Sequence, residues 1–107
     1  MTNMLITGAS GMLGATLVNF FLKEYNVFGT GATDFENAGF NYMKFDLASD
    51  SYEDLITWSK PNIIIHCGAL TNGNYCEENP TKAFNLNGIS VQKFLKATIS
   101  NVKIIYI

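Results

Sequence analysis

The sequence predicts an α/β fold with a doubly wound parallel sheet, and three observations predict it. Short apolar runs alternate with stretches whose apolar residues recur at helical spacing. Two of the runs, IIIHC at 63–67 and VKIIYI at 102–107, are apolar at successive positions, as strands covered on both faces are. Three glycines, Gly8, Gly11 and Gly14, stand between the first apolar run and the first helical stretch. Strands that alternate with helices in this way pack as one sheet with helices on its faces.

The elements follow in order. Residues 3–7 (NMLIT) form a short buried strand. Residues 12–24 carry Leu13, Leu17, Phe20 and Phe21 at helical spacing, which makes a helix with the Phe20–Phe21 pair in the core. A second strand covers 27–30, and a Gly- and Asn-containing connection, too irregular for a helix, leads to a third at 42–45. Residues 50–59 read as a helix capped by Ser49 or Asp50, with Pro61 beyond its end. The fourth strand is 63–67. Asn79 and Pro80 then supply a cap and a first-turn proline to a helix carrying Ala83, Phe84, Leu86, Val91, Phe94, Leu95 and Ile99 and ending near Asn101. The fifth strand is 102–107. No repeat or linker divides the chain, so residues 1–107 are expected to form a single domain.

Composition excludes several function classes. A net charge of −2 gives no electrostatic reason to expect nucleic acid or an anionic membrane as partner. No apolar run approaches the roughly 20 residues that a membrane span needs. Cys67 and Cys76 match no metal-ligand or redox spacing, and with one His in the chain they argue against a zinc site. A reduced, cytoplasmic protein is the expectation.

The glycine motif carries the chemistry. In TGASGMLG, Gly8 would make a tight turn, Gly11 would let the backbone approach a pyrophosphate, and Gly14 would let the helix pack close to the sheet. The helix N-terminus would face the phosphate charge, with Ser10, Met12 and Leu13 beside it. Ala15 and Thr16 follow Gly14 with no Lys, so the loop is not of the Walker type. The bland alternative is a glycine-rich turn that binds nothing.

TGASGMLG resembles the T-G-x-x-G-x-x-G fingerprint of the extended short-chain dehydrogenase/reductase family, which acts mostly on nucleotide-linked sugars. Three further stretches agree. Phe45-Asp46-Leu47 resembles the pair that meets the adenine ring; IIIHCGALT, with Cys67, Gly68, Ala69 and Thr71, is similar to the segment beside the nicotinamide ribose. Phe84-Asn85-Leu86-Asn87-Gly88 resembles the start of the family's fourth long helix. Within the family, GALTNGNYCEENP is similar to the pattern of dTDP-4-dehydrorhamnose reductase and its relatives, although Gly73 and Asn74 replace a Val and an Asp. The resemblance implies a Rossmann-type sheet with strand order 3-2-1-4-5, NAD or NADP as cofactor, and a nucleotide-sugar substrate that is reduced, epimerised or dehydrated. Among these a 4-keto-sugar reductase is the leading reading.

Departures from the family matter as much. The chain has no Arg, which removes bidentate recognition of a 2′-phosphate and favours NAD. Asp34, about 20 residues past Gly14, is placed for a ribose hydroxyl or is a solvated loop residue. The family's catalytic Tyr-x-x-x-Lys is missing, since no tyrosine here has Lys four positions on. The chain is therefore expected to be the cofactor-binding front part of a longer enzyme, truncated after the fifth strand and inactive alone. The alternative is a non-catalytic NAD(P)-binding regulatory subunit. His66, with no carboxylate partner in sequence reach, reads as packing. Right-handed crossovers put the first helix on one face and the later two on the other, which would leave strands 4 and 5 uncovered on the first helix's side. Association, most simply as a homo-oligomer, is the expected consequence.

Overall fold

The computed structural model describes residues 1–35, 38–67, 80–98 and 101–107, with side chains at all of these except 80–87. Its strands are β1 (Asn3–Thr7), β2 (Asn26–Gly31), β3 (Asn41–Lys44), β4 (Ile63–His66) and β5 (Lys103–Tyr106). They form one parallel sheet in the order β3-β2-β1-β4-β5, as the sequence predicts. The helices among the described residues are α1 (Met12–Phe21), α2 (Tyr52–Ser59) and α3 (Pro80–Ala97).

The register explains the apolar strands. Leu5 pairs with Phe28 and Ile64 on one face of the sheet, and Ile6 pairs with Gly29 and Ile65 on the other. Leu5, Ile64, Leu55, Tyr52 and Phe94 make the core under α2 and α3. Met4, Ile6, Val18, Val27 and Ile65 make the core under α1. Each fully buried aliphatic side chain contributes about 1.5–3 kcal/mol, so the two cores hold the strand ends in fixed relation.

Several local expectations need correction. α1 ends at Phe21 rather than at residue 24, because the amides of Glu24 and Tyr25 both turn back to the Phe21 carbonyl to feed β2. Phe20 is not core: it is 75% exposed and meets Phe21 edge-on, since Val18, Leu17 and Phe21 already occupy the stripe that faces the sheet. The cap of α2 is Ser51, whose Oγ accepts from the Asp54 amide; the Asp50 carboxylate instead accepts from the Asp46 amide and the Ser49 side chain bonds the Asp46 carboxylate. α3 ends at Ala97, short of Asn101, and its Leu95 is exposed. β4 is buried on both faces, with Ile65 in the α1-side core, so the uncovered strip is confined to β5, where Ile105 and Tyr106 are 40% and 49% exposed.

Candidate functional site

The sheet order reverses direction between β1 and β4, and a crevice outside the strand ends at such a switch point is where open α/β sheets bind ligands. The chain leaves β1 there through Gly8, whose φ of 68° lies in the left-handed region that favours glycine. The Gly11 amide returns to the Gly8 carbonyl at 3.0 Å, and the Ala9 amide donates to the Thr30 carbonyl at 2.8 Å, tying the turn to β2. Gly14 is wedged against this turn: a Cβ there would stand 2.0 Å from the Gly8 carbonyl oxygen and 2.6 Å from its carbon. Around Gly11, by contrast, an added Cβ meets only the Gly8 oxygen, at 3.3 Å, among the described residues. No other described atom lies within 4 Å of that Cβ.

α1 begins at this turn without a side-chain cap and without an acidic residue in its first turn. α2 has both, with Ser51 as cap and Glu53 and Asp54 behind it. Among the described residues neither a side-chain cap nor a first-turn carboxylate neutralises the positive end of the α1 dipole. Met12 and Leu13 flank it, 92% and 48% exposed. Ser10 is exposed too, and its Oγ leans over Gly31 with the Tyr42 hydroxyl, so that a Cβ at Gly31 would come within 2.5 Å of one and 2.6 Å of the other. Asp34 is exposed on the segment after β2.

On the far side of β2, Asp46 and Leu47 follow β3. Asp46 is exposed, and its carboxyl is held below the usual carboxylate range chiefly by the Ala48 amide, then by the Ser49 side chain. Leu47 is half-buried against the core, and its carbonyl accepts from the Tyr52 hydroxyl at 2.9 Å. Burial pushes that hydroxyl's pKa up to about 12.

His66 closes β4 and is fully buried. Its Nδ1 lies 2.7 Å from Thr7 Oγ1 and its Nε2 2.9 Å from Ser90 Oγ, so the ring bridges β1, β4 and α3. The Phe94 and Tyr106 rings pack against it, and burial lowers its pKa to about 4. Cys67 is half-buried, donates from Sγ to the Thr7 carbonyl, and has its thiol pushed up by burial. It is a packing group at the crevice wall and no nucleophile. Gly68, Ala69 and Thr71 lie outside the described residues, as do Cys76 and the Asn85 side chain. The structure therefore brings together Gly8, Ser10, Gly11, Met12, Leu13, Gly14 and Cys67 around the β1 and β4 ends, with Asp46 and Leu47 beyond β2. Sequence reading missed Thr7, Ser90 and Asp50. The signal for Asp50 was its spacing of four from Asp46 across a short turn.

Among the described residues no cluster of His, Cys, Asp and Glu could hold a metal, and no helix is long and apolar enough to cross a membrane.

Comparison with known proteins agrees with this fold. The chain is 32% identical to methionine adenosyltransferase 2 subunit beta of Xenopus tropicalis over 93 residues, covering 86% of this chain and 27% of that protein. It is 28% identical to dTDP-4-dehydrorhamnose reductase of Aggregatibacter actinomycetemcomitans over 100 residues, covering 92% and 31%. The structure of a hypothetical dTDP-4-dehydrorhamnose reductase from Sulfolobus tokodaii superposes with a TM-score of 0.79 at 28% identity, over 98% of this chain and 38% of that one. That of Thermus thermophilus UDP-glucose 4-epimerase in complex with NAD gives 0.75 at 24%, over 88% and 32%. The chain thus spans about a third of the length of these proteins. The model of the RmlD substrate binding domain matches residues 1–107 from end to end, and the chain belongs to that family.

Proposed function

We propose that this chain is the dinucleotide-binding part of an NAD(P)-dependent enzyme that reduces a nucleotide-linked 4-keto-sugar. The observation that carries the reading is the β1–α1 turn, where Gly14 is jammed against the Gly8 carbonyl while an added Cβ at Gly11 would meet only the Gly8 oxygen among the described residues, before an uncapped helix N-terminus. That arrangement suits a diphosphate, which needs close backbone approach and unneutralised amides. The adenosine end would lie across β2 toward Asp46 and Leu47, and the far ribose would lie along residues 68–71. Asp34 is exposed near the β2 end and is the proposed contact of the adenosine ribose. NAD is preferred over NADP because no Arg is present to grip a 2′-phosphate. The bound nicotinamide supplies the hydride; the chain's own residues bind and orient it. None of the tyrosines has Lys four positions on, so the acid–base pair is proposed to lie outside these residues, and the chain alone to transfer no hydride. A reduced, cytoplasmic setting fits the two unpaired-spacing cysteines.

A second reading is a non-catalytic NAD(P)-binding subunit. It is favoured by the 32% identity to a protein named as a subunit of another enzyme, methionine adenosyltransferase.

The test is Gly11→Val. Gly11 sits at φ −82° and ψ 174°, extended backbone open to Val, and its added Cβ would stand 3.3 Å from the Gly8 oxygen, so thermal unfolding of the variant accompanies the titration to show that the fold survives. Calorimetric titration should show NADH affinity weakened about tenfold or more, the equivalent of about 1.4 kcal/mol. Unchanged affinity would overturn the assignment of the turn.

A further inference from the structure

We infer that Asp50 is a positioning residue for the adenine end of the site, acting by closing the turn that presents Asp46. The inference rests on the cofactor reading above and goes beyond it in assigning a role to a residue outside the proposed contacts.

The turn between β3 and α2 is closed by a reciprocal pair. The Asp46 amide donates to Asp50 Oδ2 at 2.7 Å, and the Asp50 amide donates to the Asp46 carbonyl at 3.0 Å. Inside that loop the Ala48 amide donates to Asp46 Oδ1 at 2.8 Å, which fixes the rotation of the Asp46 carboxylate. Two bonds from the helices then anchor the outside of the turn. The Tyr52 hydroxyl donates to the Leu47 carbonyl at 2.9 Å, and Lys93 Nζ of α3 reaches the Ala48 carbonyl at 3.4 Å.

Of these bonds, only the one accepted by Asp50 Oδ2 grips the Asp46 amide, one of the two backbone groups that flank the Cα carrying the presented side chain. An ionised carboxylate offers about four lone-pair sites, so the Asp46 carboxylate can accept a further donor while holding Ala48. Adenine carries such a donor in its exocyclic amino group; hypoxanthine carries an acceptor at the same position. A turn held rigid should discriminate the two bases, and a turn that swings should not. The role assigned to Asp50 is the bond to the Asp46 amide, not a contact with the base.

The experiment titrates the 107-residue chain with NADH and with reduced nicotinamide hypoxanthine dinucleotide, following ligand fluorescence, for the parent, Asp50→Ala and Asp50→Asn. The parent is expected to prefer NADH. Asp50→Ala should weaken NADH about three- to tenfold, the range of one lost hydrogen bond, and bring the two affinities together. Asp50→Asn keeps an acceptor at the same place and should restore the preference, which separates the bond from any loss of charge at the α2 N-terminus. A parent that binds NADH while Asp50→Ala keeps the full preference would overturn the inference alone. A parent that binds both dinucleotides equally would also overturn it, because Asp46 would then not read the base. A parent that does not bind NADH would overturn the cofactor reading itself, and the role assigned to Asp50 with it.

Discussion

Replacing Gly14 by Ala adds one methyl group, and two opposed effects decide its outcome. In a helix interior Ala is preferred to Gly by about 0.8–1 kcal/mol. At this position, however, the new Cβ would stand 2.0 Å from the Gly8 carbonyl oxygen, 2.6 Å from the Gly8 carbonyl carbon and 2.9 Å from the Ala9 Cα. All three are backbone atoms of a turn that is itself pinned by the Ala9–Thr30 bond, so no side chain can swing away to make room. Either α1 is pushed off the sheet, separating Val18 and Leu17 from the core beneath, or the turn distorts. Overpacking of this kind costs about 1–3 kcal/mol and more where backbone must move, which exceeds the propensity gain. We expect a net loss of about 2 kcal/mol. For a domain of this size that is a fall in Tm of roughly 8–16 °C. Gly88→Ala in α3 is the matched control, because Gly88 is exposed with nothing among the described residues within 4 Å of an added Cβ. It should raise stability by about 0.5–1 kcal/mol. Thermal and urea unfolding of both variants would check this, and a Gly14→Ala protein as stable as its parent would refute the close approach of α1 to the β1 turn.

Two further outcomes are expected. His66 stays neutral in the folded state down to about pH 4, whereas the unfolded chain protonates near the ordinary value of 6.5, so stability is undiminished above about pH 6.5 and falls as the pH drops toward 4, by at most about 3 kcal/mol. Urea unfolding at pH 7, 5.5 and 4.5 should show that slope, and His66→Gln should flatten it; the lowered Asp46 carboxyl acts in a separate window, its contribution lost only as the pH falls below about 3.8. Light scattering at rising concentration should show association through the exposed Ile105–Tyr106–Ile107 strip at the β5 edge, reduced by Ile105→Lys, and a stable monomer at millimolar concentration would count against it.

The sheet was legible because its strands obey one rule each. IIIHC and VKIIYI must be covered on both faces or lie at an edge, and the register puts Ile64 and Ile65 into opposite cores while Ile105 meets solvent. The glycine turn was legible because each glycine answers a distinct geometric need. Phe20 was misread because helical spacing marks a stripe but not its width, and α1 has room for only one line of large side chains against the sheet. The α2 cap was misplaced for a different reason: Ser49, Asp50 and Ser51 are all good caps, and the choice depends on which side chains the Asp46 turn has already used. The partners of His66 were invisible because sequence spacing carries no trace of them: Thr7 and Ser90 lie 59 and 24 residues away along the chain.

The two walls of the candidate site are held in different ways, and the difference bears on how a dinucleotide would be met. At the β1 end the turn is set by backbone sterics around Gly8 and Gly14, and Thr7 just before it is locked to α3 through the buried His66–Ser90 pair. Neither device uses a charged side chain, so neither competes for a phosphate with a carboxylate or neutralises the α1 dipole. At the β3 end the Asp46 turn is held by side-chain bonds from Asp50 and Lys93 at the protein surface and from the buried Tyr52, each worth only about 0.5–1.5 kcal/mol. A diphosphate subsite at this turn would therefore be built into the core and, outside Gly11, could be altered only by disturbing the fold. An adenine subsite at the Asp46 turn would rest largely on surface bonds and could be retuned at Asp50 with the fold intact. Preorganisation of both would lower the ordering cost of binding. Changes in base preference should accordingly arise at the Asp46–Asp50 turn, and changes at Gly8 or Gly14 should appear as loss of binding and stability together.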